Sequence, residues 1–477
     1  MLLRPLIPPV ALAVLLLVSP VAAQAAQTLQ PGPRSPERWQ RLARELLAEL
    51  VAINTTDSQG DNTAAAEAMR RRLLAAGFPE EDVVVIEPAP RKGNLVARLR
   101  GRGTGEKPIL LLAHIDVVEA DPADWTLPPF ELIERDGMFY GRGTADDKDE
   151  AAIYIANLIR MKEEGYVPDR DIIVALTADE EGGPANGVRW LLENRRELID
   201  AAFAFNEGGG GIVEDGRRVA NTVQAAEKKY LDFTLEVTNP GGHSSRPRDD
   251  NAINELAQAL VRIAAHRFPV RLNEVTRAYF ERSAGLVPPQ QADAMRRLLA
   301  DETDSVAIRV LSADERLNSM LRTTCVATML SGGHAPNALP QRARANVNCR
   351  LLPDEDPAEV QRTLERVAAV PTLRITPVDQ AKNSPPSPLT AEVLGAIERV
   401  TAEMWPGVPV VPTMSTGATD GLYLRNAGIP VYGVSGLFYG ETYAHGMNER
   451  IPAAAFYEGQ EFLYRLVKAL TTRSASD

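Results

Sequence analysis

A chain of 477 residues is too long for one simple hydrophobic core and points to about three domains or segments. Hydrophobic residues make up 44% and charged residues 24%, ordinary proportions for a globular protein. The formal net charge of −12 argues against a nucleic-acid partner, since phosphate binding needs clustered Lys and Arg.

The stretch Met1 to Gln27 carries Arg4, an apolar run from Val10 to Val18, and the small residues Ala22, Ala23, Ala25 and Ala26. That layout predicts a cleavable secretory signal over residues 1–26, and so an exported, periplasmic or secreted protein. The apolar run is short for a bilayer span of about 20 residues. Pro, Ser and Gly between Gln30 and Glu37 read as a linker. Trp39, Leu42, Leu46, Leu47 and Leu50 then recur at helix spacing, and a second helix is expected over Ala64 to Ala76, ended by Gly77. Apolar runs at Ile109 to Ala113, Ile172 to Leu176 and Ala201 to Phe205 alternate with helical stretches at Asp149 to Glu164 and Val188 to Asn194. Buried strands alternating with helices predict an α/β domain around a mostly parallel sheet.

From Lys228 the pattern changes. Strands are expected at Leu231 to Val237, Cys325 to Leu330, Ala345 to Leu351 and Leu373 to Val378, with helices at Asn251 to Ile263 and Asp356 to Ala369. That order suits a small α+β module with helices on one face of an antiparallel sheet. A charged helical stretch near 271–321 reads as an insertion within it. A helix at Leu389 to Met404 and strands at Val408 to Val411 and Pro430 to Val434 resume the α/β pattern. The expected organisation is therefore a catalytic domain in two parts, 27–227 and 382–477, interrupted by a lid or dimerisation domain over 228–381. Cys325 and Cys349 are the only cysteines. An exported compartment permits a bridge between them, while two buried free thiols stay equally open.

Several strand ends carry chemistry. His114 and Asp116 follow an apolar run, at positions that project to one side of extended chain. Gly141-Arg-Gly-Thr-Ala-Asp146-Asp147-Lys148 places paired acids before a helix. Asp179-Glu180-Glu181 follows the Ile172 to Leu176 run, and adjacent acids ionise together cheaply only beside positive charge. A metal would supply it, with Glu181 as ligand and Glu180 as the base that takes a proton from water. Asn206-Glu207 ends another run, and His445 adds a second imidazole from a chain with five histidines. Open α/β sheets place their sites at such strand ends. Mixed His and carboxylate donors favour zinc or another divalent first-row ion.

These pieces, together with Trp125 to Phe130, Asp136-Gly137, Gly241-Gly-His243-Ser-Ser245, Asn337-Ala-Leu-Pro340, Arg350, Gly417 to Asp420 and His445 to Glu449, resemble one family. It is the zinc carboxypeptidase, aminoacylase and dipeptidase family of dinuclear metallopeptidases, which includes glutamate carboxypeptidase-like and succinyl-diaminopimelate desuccinylase-like enzymes. The resemblance runs in the same order along nearly the whole chain beyond the leader. It implies two divalent ions, zinc or else cobalt or manganese. His114 and Glu207 would hold one, Glu181 and His445 the other, and Asp146 would bridge them. It further implies Glu180 as general base, Asp116 orienting His114, a cis peptide between Asp146 and Asp147, and His243 steadying the oxyanion. Asn337, Arg350 and Gly417 would contact substrate. Two positions depart from the pattern. Asp149 stands where members carry glycine, and Asn206-Glu207 leaves the register of that ligand open by one.

No Gly-x-Ser-x-Gly occurs, and neither cysteine lies near a motif histidine, which argues against serine and cysteine nucleophiles. The function expected is hydrolysis of the amide bond in small peptides, of carboxypeptidase or dipeptidase type, or in N-acyl amino acids. Arg350 argues for a substrate with a free carboxylate. The alternative is a catalytically inactive peptide-binding protein of the same fold. Compact members dimerise through the lid, with His243 serving the partner's site, so the resemblance leaves two states open: a homodimer through the lid, or a monomer in which the insertion near 271–321 takes the partner's place.

Overall fold

A computed structural model describes residues 29–380 and 382–472. The leader expected over residues 1–26 lies outside these.

Ten strands build the main sheet. At its centre Ile172–Thr177, Ile109–His114, Phe203–Asn206 and Val431–Gly433 lie side by side and parallel. The full sheet is mixed: Asn94–Leu99 and Val83–Ile86 extend one side antiparallel, and Arg217–Glu227 joins the other antiparallel to Val431–Gly433. The centre is parallel as expected, and the flanks mix both senses, since Val410–Ser415 runs parallel to Arg217–Glu227 and Phe438–Tyr439 parallel to Gly211–Glu214. The hairpin Gly211–Glu214 to Arg217–Glu227 accounts for part of the difference. Its Asp215-Gly216 turn adopts positive φ at both residues, the geometry that matches strand twist in a tight hairpin.

Burial explains why the central strands read as unbroken apolar runs. Ile109, Leu111, Ala113, Ile172, Val174 and Leu176 pack on one face with Ile155 and Leu158 of the helix Lys148–Glu163. Leu110, Leu112, Ile173 and Ala175 pack on the other with Val188 and Leu191 of the helix Gly187–Asn194. Both faces of the sheet are covered, so period-two alternation carries no polar residues.

The second unit is a four-stranded antiparallel sheet in the order Thr324–Gly332, Arg342–Leu351, Lys229–Thr238, Leu373–Pro377. Leu231, Phe233, Leu235 and Val237 meet Leu256, Ala259 and Ile263 of the helix Ala252–Ala265, and Val360 and Leu364 of Pro357–Ala368. Cys325 and Cys349 stand directly opposite in the register and are disulfide-bonded.

The insertion forms the helices Glu274–Ser283, Pro289–Ala300, Ser305–Leu311 and Glu315–Leu321. Its Val275, Phe280, Met295, Leu298 and Leu321 join the hydrophobic core of the main sheet, not that of the lid. The buried Lys228, at the junction of the two units, ties the insertion down. Its Nζ donates to the carbonyls of Ser319 and Arg322, at 2.9 and 2.8 Å.

Candidate metal centre

His114, Thr177 and Asn206 end three neighbouring parallel strands, so the segments that follow emerge along one edge of the sheet. That edge collects the acidic residues anticipated there. His114 is buried; its Nδ1 sits 3.0 Å from the Asp116 carbonyl oxygen, which fixes the ring, and its Nε2 lies 2.9 Å from Asp146 Oδ1 and 4.0 Å from Glu207 Oε1. His445 Nε2, from the far end of the chain, lies 2.9 Å from Glu181 Oε1 and 3.0 Å from Asp146 Oδ2. Asp146 therefore offers one oxygen to each histidine. The donor atoms of His114, Asp146 and Glu207 fall within 4.8 Å of one another, and so do those of Asp146, Glu181 and His445. Of the pair Asn206-Glu207, it is Glu207 whose donor atom falls in the first set.

Asp116 touches both His114 and the acidic loop. Its carboxylate lies 3.7 Å from His114 Nδ1 and accepts the backbone N–H groups of Glu180 and Glu181, at 3.2 and 3.0 Å. The imidazole is oriented by the backbone carbonyl of Asp116, while the carboxylate holds the acidic loop. That loop is further pinned at Asp179, whose carboxylate pairs with Lys92 at 2.5 Å and whose φ is +60°. A non-glycine residue in that region costs about 1–3 kcal/mol.

The electrostatics suit cations. Burial pushes the Glu180 carboxyl up to about 10, reinforced by the neighbouring acids Glu207, Asp420 and Glu181 over the opposing pull of His114. Glu207 is likewise raised well above the usual carboxylate range, chiefly by burial. His445 is raised to about 9, first by its hydrogen bond to Asp146. No Lys or Arg among the described residues ion-pairs with Asp146, Glu180, Glu181 or Glu207. Buried acids left without countercharge either protonate or take up cations. Ligands on one tetrahedral zinc stand about 3.3 Å apart for bonds near 2.0–2.1 Å. The 2.9–4.0 Å separations here accept an ion with little rearrangement. Two divalent ions fit this donor set.

The remaining anticipated residues divide. Arg350 faces the same cleft of about 700 Å³ as Glu180 and Glu181, with its guanidinium 4.6 Å from the centre of the Tyr230 ring. Among the described residues it makes no ion pair with another side chain. Gly417 is exposed, while its neighbours Ala418 and Thr419 line that cleft. His243 and Asn337 are both exposed at the edge of the lid, on two short paired strands, Gly242–His243 and Ala338–Leu339, and the loop before the second. Ser244 N–H donates to the Asn337 carbonyl. Neither residue belongs to a metal cluster or lines the cleft.

Two residues that the sequence reading left without a role hold the centre together. Glu449 is fully buried and accepts from Arg142 Nη1 at 2.7 Å, Gly143 N at 3.0 Å and Ala145 N at 2.7 Å. Arg142 Nη2 donates to the Gly446 carbonyl at 3.0 Å. The clamp binds the loop that carries Asp146 to the loop that carries His445. The available signal was the charge of Arg142 and Glu449 inside two glycine-rich motifs. Lys148, also fully buried, donates to the Leu50 and Ile53 carbonyls and anchors the same loop to the first helix, Glu37–Ala52. The peptide bond between Asp146 and Asp147 is cis.

The profile of Peptidase family M20/M25/M40 matches residues 110–469. The human (Homo sapiens) N-fatty-acyl-amino acid synthase/hydrolase PM20D1 is 27% identical over 96% of this chain and 95% of its own. An M20 family metallo-carboxypeptidase of Sulfolobus solfataricus superposes with a TM-score of 0.68, at 19% identity, over 90% of this chain and 99% of that one. A Bacillus subtilis protein described as a dinuclear metal binding peptidase from the M20 family superposes with a TM-score of 0.58, at 14% identity, over 91% and 98%.

Proposed function

This chain belongs to peptidase family M20/M25/M40 and is a hydrolytic enzyme, and we propose that it cleaves the amide bond of small peptides or N-acyl amino acids with a free carboxylate, using water activated at a two-metal centre. The observation that carries the reading is Asp146, whose two oxygens face two histidines more than 300 positions apart in sequence, each with a further carboxylate beside it. The dinuclear description of the Bacillus subtilis relative supports it.

In this reading His114 and Glu207 would hold one ion and Glu181 and His445 the other, with Asp146 available to both. Zinc is the first choice, with cobalt or manganese as substitutes. When bound, the ions supply Lewis acidity that polarises the scissile carbonyl and makes the attacking water more acidic. Glu180 takes the proton from that water and delivers it to the departing nitrogen. Its backbone, and that of Glu181, stays in place because Asp116 accepts both N–H groups. Arg350 pairs with the substrate carboxylate through its planar fork, preorganised by stacking on Tyr230. Asn337 and Gly417 contact the substrate, and His243 steadies the oxyanion, which requires the lid edge to meet a catalytic cleft. A second copy supplies one route. The edge strand Thr324–Gly332 exposes Met329 and Leu330, each 71% accessible, a long open edge of the kind that pairs with another chain. We therefore read the protein as a homodimer through the lid, exported after removal of residues 1–26. The Cys325–Cys349 bridge is in keeping with an oxidising compartment.

Metal analysis by plasma mass spectrometry, paired with hydrolysis of N-acyl amino acids and dipeptides before and after chelation, tests the function. About two ions per chain and chelator-sensitive release of free amino acid are expected. No bound metal and no turnover after adding back zinc, cobalt or manganese would overturn it. Light scattering tests the dimer: a fully active monomer removes any need for a histidine in trans.

A further inference from the structure

Arg350 stands beside an acid and yet, among the described residues, forms no ion pair with it. In the lid sheet Lys229–Thr238 runs antiparallel to Arg342–Leu351, with Tyr230 directly opposite Arg350 and Asp232 opposite Asn348. Residues two apart on a strand share a face, so these four side chains project from the side away from the helices that cover Leu231 and Phe233. Asp232 is thus the diagonal neighbour of Arg350, a spacing of about 7–8 Å that long side chains bridge. Burial holds the Arg350 guanidinium below its ordinary pKa, with Tyr230 and Asp232 acting against it, so the charge of the acid reaches the guanidinium.

The Asp232 carboxylate is already occupied. Its Oδ2 accepts the Tyr230 hydroxyl at 2.5 Å, and its Oδ1 accepts the side-chain amides of Asn346 and Asn348 at 2.9 and 3.0 Å. Asn346 also donates to Thr328 Oγ1 at 2.9 Å, which ties the group to the edge strand Thr324–Gly332. Burial raises the Asp232 carboxyl, but the bonds from Tyr230, Asn348 and Asn346 outweigh it and keep the group ionised. The Tyr230 hydroxyl is pushed above its usual range, first by that same bond, and so stays a donor at neutral pH.

An ionised carboxylate without those donors would pair with the neighbouring guanidinium, since Arg favours bidentate contact with carboxylates. A substrate carboxylate would then have to displace it. The stack on the Tyr230 ring, 4.6 Å from guanidinium carbon to ring centre, holds Arg350 by its face and leaves its N–H edges open.

We propose that the Tyr230 hydroxyl is a positioning group that keeps Asp232 occupied, so that the Arg350 fork stays free to receive the carboxylate of the substrate. The ring of Tyr230 carries the guanidinium, and its hydroxyl withholds the competing acid. This deepens the amide-hydrolase reading and rests on it for the role of Arg350.

Tyr230→Phe isolates the hydroxyl, because the ring and its stacking survive the change. On the zinc-loaded full chain, with acetyl-leucine and alanyl-leucine as substrates, KM for whichever is turned over should rise about fivefold and kcat change less than about twofold, the size of an exposed ion pair set against the substrate. The double variant Tyr230→Phe/Asp232→Asn removes the competing charge and should recover about half or more of that loss. A network that merely supports the fold predicts the reverse, since each substitution takes away one more bond. Parental KM in Tyr230→Phe, a loss confined to kcat, or a smaller recovery in the double variant overturns the proposal while leaving hydrolysis intact. If the parent hydrolyses neither substrate, the hydrolase reading fails, and calorimetric titration with acetyl-leucine decides the positioning role alone. Binding weakened in Tyr230→Phe and restored in the double variant would support it; equal affinities or no binding would overturn it. Should Tyr230→Phe fail to fold, Asn346→Ala/Asn348→Ala frees the other carboxylate oxygen and carries the same expectation.

Discussion

Glu449→Gln is the most searching perturbation of the centre, because Glu449 touches no reacting atom. In the parent protein Oε2 accepts from Arg142 Nη1 and Gly143 N, and Oε1 from Ala145 N, all within 3.0 Å and out of solvent. A glutamine has the same shape but turns one acceptor into a donor. At least one of those N–H groups then faces an N–H, and Arg142 loses the carboxylate that neutralises it. Breaking one partner of a buried ion pair costs about 3–5 kcal/mol. With an unfolding entropy of about 2.1 cal/mol/K per residue, a chain of this size should lose about 4 °C in Tm. The second effect is specific to the clamp. Loosening the loops of Asp146 and His445 should weaken binding of one ion about 10–100-fold, the usual result of losing a group that orients metal ligands. Calorimetric melting of the metal-free and zinc-loaded forms, with zinc titration against a chelating indicator, measures both. The double variant Arg142→Met/Glu449→Gln should recover part of the stability, since it removes the stranded cation. A Glu449→Gln protein with unchanged Tm and two unchanged zinc affinities would refute the argument that this pair sets the distance between the two loops.

Three further outcomes are expected. Glu180→Gln should lower kcat by about 10²–10⁴ while retaining both ions, because it removes a proton acceptor and no ligand; loss of metal would instead make Glu180 a ligand. In the metal-free protein, His445 is raised from 6.5 to about 9 by its bond to Asp146, so its contribution to the metal-free fold is present below about 6.5 and lost as pH rises through about 9. Binding an ion must displace that proton, so apparent metal affinity should climb between pH 7 and 9, with proton release visible as a dependence of calorimetric heat on buffer; a pH-independent affinity would contradict it. The Cys325–Cys349 bridge closes a separation of 24 residues, which constrains the unfolded lid by about 3.5 kcal/mol. Cys325→Ser should therefore lower the lid's resistance to urea, measured by proteolysis of 228–381 fragments, and unchanged cleavage would speak against a stabilising bridge.

The sequence by itself determined most of the elements and which residue types stand at the strand ends. Apolar runs such as Ile109–His114 are legible because a sheet covered on both faces demands them. Alternation in Lys229–Thr238 likewise marked a sheet with helices on one face alone. What lay between those signals was less legible. The flanking antiparallel strands depend on the Asp215-Gly216 turn and on pairings that no local pattern encodes. The insertion reads as part of the lid because it sits between lid elements in the chain, yet its apolar faces found the larger core of the main sheet. The clamp of Arg142 and Glu449 joins residues separated by 307 positions. The same holds for the acids Asp147, Asp149 and Glu150. In sequence they are a charged helix start, ordinarily solvated and favourable beside the helix dipole. Only the surrounding fold withdraws water from them and leaves oxygens without partners, so their meaning arises from burial, a quantity set by the whole chain at once.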